Sequence, residues 1–219
     1  MRLNNIMVMD LETGSNDPAT TQILEIAAVI VDPDRLSVIP ESAFQLLVRP
    51  EDESALQPDA MAKNRLDIEE LRQAPPAKVA FAKFAEYAGR YNAGKTKSEY
   101  NAPHAAGYNI ARFDLPILDR YSARFGMVDS AGEPKLYNRR VTFDLWEDSV
   151  RLFGQTNKLP GLGLDDLRRL FGIPTDGAHR ALKDVEDTAW ILCRLLRMYR
   201  SMADKVPYEG AYLRDAPSA

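Results

Sequence analysis

Residues 23 to 31 read Ile-Leu-Glu-Ile-Ala-Ala-Val-Ile-Val, and no other feature constrains the chain as much. A strand with one face in water alternates apolar and polar residues. This run does not alternate, so it predicts a strand covered on both faces. Its single acid, Glu25, needs a partner in such surroundings and reads as a hydrogen-bonded structural acid. The neighbouring segments Ile6–Leu11 and Ala43–Val48 also read as strands. Turn residues fill Gly14–Thr20 and Asp32–Asp34 between them. Three strands with short connections predict an antiparallel meander.

The pattern then turns helical. Asp67–Gln73 reads as a short helix stopped by Pro75 and Pro76, and Lys78–Tyr91 carries Val79, Phe81, Phe84, Tyr87 and Ala88 at helical spacing. A short strand at His104–Tyr108 is followed by a helix at Arg112–Phe125. A strand at Val141–Leu145 leads into a helix at Trp146–Phe153. Asp165 and Asp166 suit the first turn of a helix that Gly172 and Pro174 end. Arg180–Tyr199 is the longest helical stretch. This order predicts an α/β chain whose mixed sheet of about five strands has helices on its faces. Residues 1–202 form the expected domain and 203–219 a C-terminal tail without periodicity.

Lys and Arg total 28 against 32 Asp and Glu, a net charge of −4. That balance argues against a basic coat for nucleic acid, though not against an enzyme that meets phosphate through bound cations. Cys193 is the one cysteine, so an intrachain disulfide and a cysteine-rich zinc site are both excluded. No apolar run reaches the ~18 residues of a membrane span. The short apolar start turns acidic at Asp10, which sets a cytoplasmic location as the expectation.

Asp10 and Glu12 lie two apart on the first strand and share a face. Side by side, two carboxylates repel by about 4 kcal/mol at ~4 Å and an effective dielectric of ~20. A hard divalent ion such as Mg²⁺ relieves that repulsion; a solvated strand end does so as well. Asp114 falls near the start of a helix after a short strand. Asp184 lies inside the long helix, with His179 at or just before its start. Histidine titrates near neutrality and suits proton removal from water. The chain has two histidines, His104 and His179. Asp187, three residues beyond Asp184, is the rival for a ligand role.

In order, these motifs resemble those of the DEDDh 3′→5′ exonucleases, which have the RNase H-like fold. Asp10, Glu12 and Thr13 match Asp-x-Glu-Thr. Asn109, Phe113 and Asp114 match Asn-x-x-Phe-Asp with one extra residue. His179 and Asp184 match His-x-x-x-x-Asp. Tyr108 stands where the family often has His, and Gly14-Ser15 follow the first motif where Thr-Gly is common. The resemblance covers roughly Ile6 to Leu196. It implies two divalent metal ions, Mg²⁺ with Mn²⁺ as a substitute, held by Asp10, Glu12, Asp114 and Asp184. Asp10 would bridge the two ions, and His179 would act as the base. Nucleoside 5′-monophosphates would be released from a free 3′ end of DNA or RNA. Thr13, Asn109 and Phe113 complete the set as substrate contacts.

Two other readings are a catalytically silent member that binds nucleic acid or protein, and a hydrolase of small nucleotides. Tyr108 and Phe113 suit base stacking. Lys95, Lys97, Arg139 and Arg140 suit either a phosphate backbone or solvent. Arg194, Arg197 and Arg200 form a stripe on the last helix, and Cys193 reads as inert core.

Overall fold

The computed structural model describes residues 3–94, 100–129, 132, 135–154, 161–175, 181–203 and 205. The strands are β1 (Ile6–Thr13), β2 (Ile23–Asp32), β3 (Ser37–Val38), β4 (Phe44–Leu47), β5 (His104–Gly107) and β6 (Asn138–Asp144). The helices are α1 (Pro58–Asn64), α2 (Ile68–Gln73), α3 (Ala77–Gly89), α4 (Asp114–Arg124), α5 (Leu145–Phe153), α6 (Leu164–Phe171) and α7 (Ala181–Ala203), with a 3-10 turn at Glu53–Ala55.

The sheet order is β3-β2-β1-β5-β6, with β4 also paired to β2. β1, β3 and β4 run antiparallel to β2, whereas β5 runs parallel to both β1 and β6. Every residue of β2 from Ile23 to Val31 is buried, as its unbroken apolar run requires. On one face, Met7, Met9, Ile26 and Ile30 pack with Phe81, Phe84 and Tyr121 from α3 and α4. On the other, Ile6, Val8, Ala27 and Val29 pack with Leu167 of α6 and Val185 and Leu192 of α7. The alternation of β1 thus sends Asp10 and Glu12 to the α7 face, just where the apolar pairs Ile6 and Val8 give out.

The sheet has six strands where the sequence predicts about five. The extra one, β3, has two exposed residues that carry no burial signal. β6 starts at Asn138 rather than Val141, and α1 replaces what reads as a connection. Pro58 opens α1, where its missing N–H is harmless. Seven residues are too few for a visible apolar period.

His104 is 2% exposed, packs edge-on against Phe143, and pairs with Ile6 at the end of the sheet remote from Asp10. It is a core residue, and burial holds its pKa below the ordinary value. Cys193 is buried, as expected. Arg139 and Arg140 are also remote from Asp10. Arg139 pairs with Asp119, and Arg140 lies over the Tyr100 ring. Lys95 and Lys97 lie outside the described residues. Arg197 and Arg200 donate to the carbonyls of Leu36 and Pro33, and Arg194 lies over Trp190. Two of the stripe's three arginines therefore tie α7 to the β2–β3 turn. Among the described residues no helix is long and apolar enough to cross a membrane.

Candidate active site

β5 accompanies β1 only as far as Val8, which pairs with Ala106. Beyond that point the edge of β1 is open at Asp10–Glu12, and the first residue of α4 meets it. The Leu11 amide donates to Asp114 Oδ1 at 3.0 Å, so the first residue of α4 is fixed against the strand that carries Asp10 and Glu12. Gly107 makes this junction possible. A Cβ there would lie 2.8 Å from the Met9 carbonyl oxygen and 2.9 Å from Ile110 Cδ1.

The connection from β5 to α4 is held by Asp144, at the junction of β6 and α5. Its carboxylate accepts the amides of Asn109, Ala111 and Trp146, each at 3.0 Å. Asn109 adopts φ 56°, in the left-handed region that asparagine tolerates better than most residues.

Asp10, Glu12, Asp114 and Asp184 line one cleft of about 590 Å³, together with Asn109 and Phe113. Lys63, Tyr108 and Arg168 line it too. Thr13 does not. Its hydroxyl donates to the Ser15 carbonyl at 2.9 Å. His179 lies outside the described residues.

The acids disturb one another strongly. Desolvation, then the charges of Asp184 and Glu25, raise the pKa of Asp10 to about 7. Desolvation, then Asp10, Glu25 and Asp184, raise Glu12 to about 8. Burial and the charge of Asp10 push Asp114 well above the ordinary carboxylate range, against the opposing Leu11 hydrogen bond. Glu25 sits directly across from Glu12 in the β1–β2 ladder and is 4% exposed. Gln45 Nε2 donates to its Oε1 at 2.6 Å, in keeping with its reading as a hydrogen-bonded acid.

Asp184 and Asp187 separate clearly. Asp187 is turned away from the cleft lining, where Arg168 Nε donates to it at 2.9 Å and Lys183 pairs with it as well. Asp184 lines the cleft and accepts from Arg168 Nη2 at 2.6 Å.

A family model described as Exonuclease, of the RNase T type, matches residues 7–192. The chain belongs to that exonuclease family. Ribonuclease T of Klebsiella pneumoniae subsp. pneumoniae is 26% identical over 202 residues, covering 90% of this chain and 86% of that protein. Ribonuclease T of Enterobacter sp. (strain 638) is 28% identical, covering 90% and 83%. The structure of E. coli Exonuclease I with a dT13 oligonucleotide matches with a TM-score of 0.71 at 19% identity over 92% of this chain. A zinc-bound form of the E. coli Exonuclease I–ssDNA complex matches with a TM-score of 0.72 at 19% identity over 93%. The exonuclease spans only 43% of the length of either Exonuclease I chain. These likenesses establish the RNase H-like fold.

Exonucleases of this family depend on divalent metal ions. The donor set here fits such an ion, being carboxylate oxygens whose mutual repulsion a hard cation relieves. Among the described residues, no three acids, histidines or cysteines are grouped closely enough to hold an ion by themselves.

Arg168 and Lys63 line the cleft but do not stand out in the sequence, and Asp144 holds the loop beside it. Arg168 is one of two consecutive arginines late in a helix, and Lys63 belongs to the unpredicted α1. Asp144 was findable, since an Asp at a strand-to-helix junction is a standard cap. Asp184→Asn in this exonuclease is expected to abolish turnover, while Asp187→Asn keeps most of it and lowers thermal stability. Initial rates on a labelled oligonucleotide and melting curves of both variants check this; the reverse ranking of rates would assign the ligand role to Asp187.

Proposed function

We propose that this exonuclease uses two divalent ions, Mg²⁺ or Mn²⁺, to remove nucleotides singly from the free 3′ end of a DNA or RNA strand. The products are nucleoside 5′-monophosphates. The observation that carries the reading is the convergence of Asp10, Glu12, Asp114 and Asp184 from β1, α4 and α7 on one cleft. The Ribonuclease T relatives and the oligonucleotide-bound Exonuclease I structures support a nucleic-acid strand as substrate.

Asp10, Glu12, Asp114 and Asp184 would hold the ions, which supply Lewis-acid activation of the attacking water and charge stabilisation at the leaving 3′ oxygen. Asp114 is held in register with β1 by the Leu11 amide. Phe113 and Tyr108 flank the cleft where a terminal base would stack, and Asn109 stands between them in the loop pinned by Asp144. Lys63 lies at the cleft beside the acids, suited to a non-bridging phosphate oxygen. His179 is the proposed acceptor of the water proton. Water adds to phosphorus, its proton passes to His179, the bond to the 3′ oxygen breaks, and that oxygen takes a proton from solvent water.

The test is a gel. Single- and double-stranded DNA and RNA, each labelled at the 5′ end, are incubated with the protein and Mg²⁺. A ladder shortening by one nucleotide from the 3′ end, abolished by EDTA, is expected. Internal cuts in a circular single strand would exclude the proposed reaction.

A further inference from the structure

Among the described residues, Arg168 is the largest side chain that is buried completely, at 1% exposure. Its three guanidinium nitrogens go to three different acids. Nη1 donates to Asp165 at 2.8 Å, Nη2 to Asp184 at 2.6 Å and Nε to Asp187 at 2.9 Å. Asp165 lies on α6, and the other two acids lie on the first two turns of α7.

Joining α6 to α7 does not require this arrangement. Leu167, next to Arg168, already packs in one apolar cluster with Ala181 and Val185 of α7. Burying an ion costs several kcal/mol, and a well-packed apolar replacement often matches or exceeds a buried ion pair in stability. What apolar packing cannot do is set the direction of a carboxylate. A planar guanidinium offers donors in a fixed fork, so three acceptors anchored together leave it no freedom to turn. Asp187 and Asp165 fix the guanidinium, and the guanidinium fixes Asp184 at the cleft that Asp10, Glu12 and Asp114 share.

We propose that Arg168 is a positioning residue that orients Asp184 for metal binding, with Asp165 and Asp187 as its anchors. The proposal rests on the metal-dependent reading above and adds the device that presents the α7 ligand. Arg168 lines the cleft, but each of its three guanidinium nitrogens donates to an acid. It acts through Asp184, so its loss is felt first in metal affinity. Replacing the outer partner of a metal ligand typically weakens metal binding or activity by about 10–100-fold.

The test uses the full chain. Mn²⁺ binding is followed by electron paramagnetic resonance in wild type, Arg168→Lys and the double variant Arg168→Gln/Asp187→Asn. Circular dichroism establishes that each is folded at the assay temperature. Lysine keeps the charge but cannot span three acids. The double variant removes one charge of each sign, which leaves the cluster's net charge unchanged if Arg168→Lys alone does not fold. The Mn²⁺ dissociation constant and the half-activating Mg²⁺ concentration are expected to rise about 10–100-fold, with KM for the oligonucleotide unchanged. Folded variants that melt earlier yet bind Mn²⁺ as tightly as wild type would reduce Arg168 to a tie between helices and overturn the proposal. A wild-type protein that itself binds no Mn²⁺ would overturn the underlying metal-dependent reading, and this proposal with it.

Discussion

Asp10→Asn is expected to lower turnover about 10³-fold or more while leaving the protein folded. Metal ions contribute several kcal/mol of charge stabilisation in the transition state, and each ~1.4 kcal/mol is tenfold in rate. Asparagine has nearly the same shape, so the β1–β2 pairing of Asp10 with Ala27 stays intact. The substitution removes a carboxylate whose neighbours Asp184 and Glu25 repel it, so the fold loses strain rather than support. Single-turnover rates on a 5′-labelled oligonucleotide at saturating Mg²⁺ measure the effect. A rate within tenfold of wild type would remove Asp10 from the metal site.

Stability should depend on pH and Mg²⁺ together. The folded protein holds Asp10 at about 7 and Glu12 at about 8, both far above ordinary carboxylates. Groups raised on folding bind more protons in the native state, so stability is lost as pH rises through the folded values. His104 is shifted the other way by burial, and its contribution is lost only as pH falls below about 6.5. Between pH 6.5 and 9 the carboxylates therefore act without it. In EDTA, release of one to two shared protons over that window costs on the order of 2 kcal/mol. At about 2–4 °C per kcal/mol, the melting temperature should fall by roughly 4–8 °C. Mg²⁺ at ~100 times its dissociation constant restores about 2.7 kcal/mol, and more at pH 8 than at pH 6.5, because its ligands must be deprotonated. Asp10→Asn should flatten the EDTA profile and erase most of the Mg²⁺ shift. Melting curves at matched ionic strength check both; a wild-type profile in EDTA that is flat across the window would show that the acids do not repel in the folded state.

What could be read from the sequence followed from periodicity and motif order. The unbroken run of β2 marked a strand buried on both faces, and the two-residue spacing of Asp10 and Glu12 put both on one face. The resemblance to the DEDDh pattern gathered Asp114 and Asp184 to the same site, and both line the cleft. The Thr13 hydroxyl, at the end of the first motif, donates to the Ser15 carbonyl, a local contact that the motif does not announce. Contacts made through space left no trace in the sequence. Nothing in Arg168-Arg169 tells that the first arginine is buried among three acids while the second pairs on the surface with Asp166. α1 was hidden because it is short, so Lys63 was not among the site candidates. Tyr108, by contrast, was legible as a departure from the family pattern, and it does line the cleft.

The central claim is that Asp10, Glu12, Asp114 and Asp184 act as one divalent-metal site. Calorimetric titration of Mn²⁺ into wild type and into the four single amide variants tests it without any substrate. Glu147→Gln, on α5 where Glu147 pairs with Arg151 and does not line the cleft, serves as the reference. Wild type and the Glu147→Gln variant should bind Mn²⁺ alike, and each of the four amide variants should bind it at least about tenfold more weakly. Four variants that bind Mn²⁺ as wild type does would contradict a shared site.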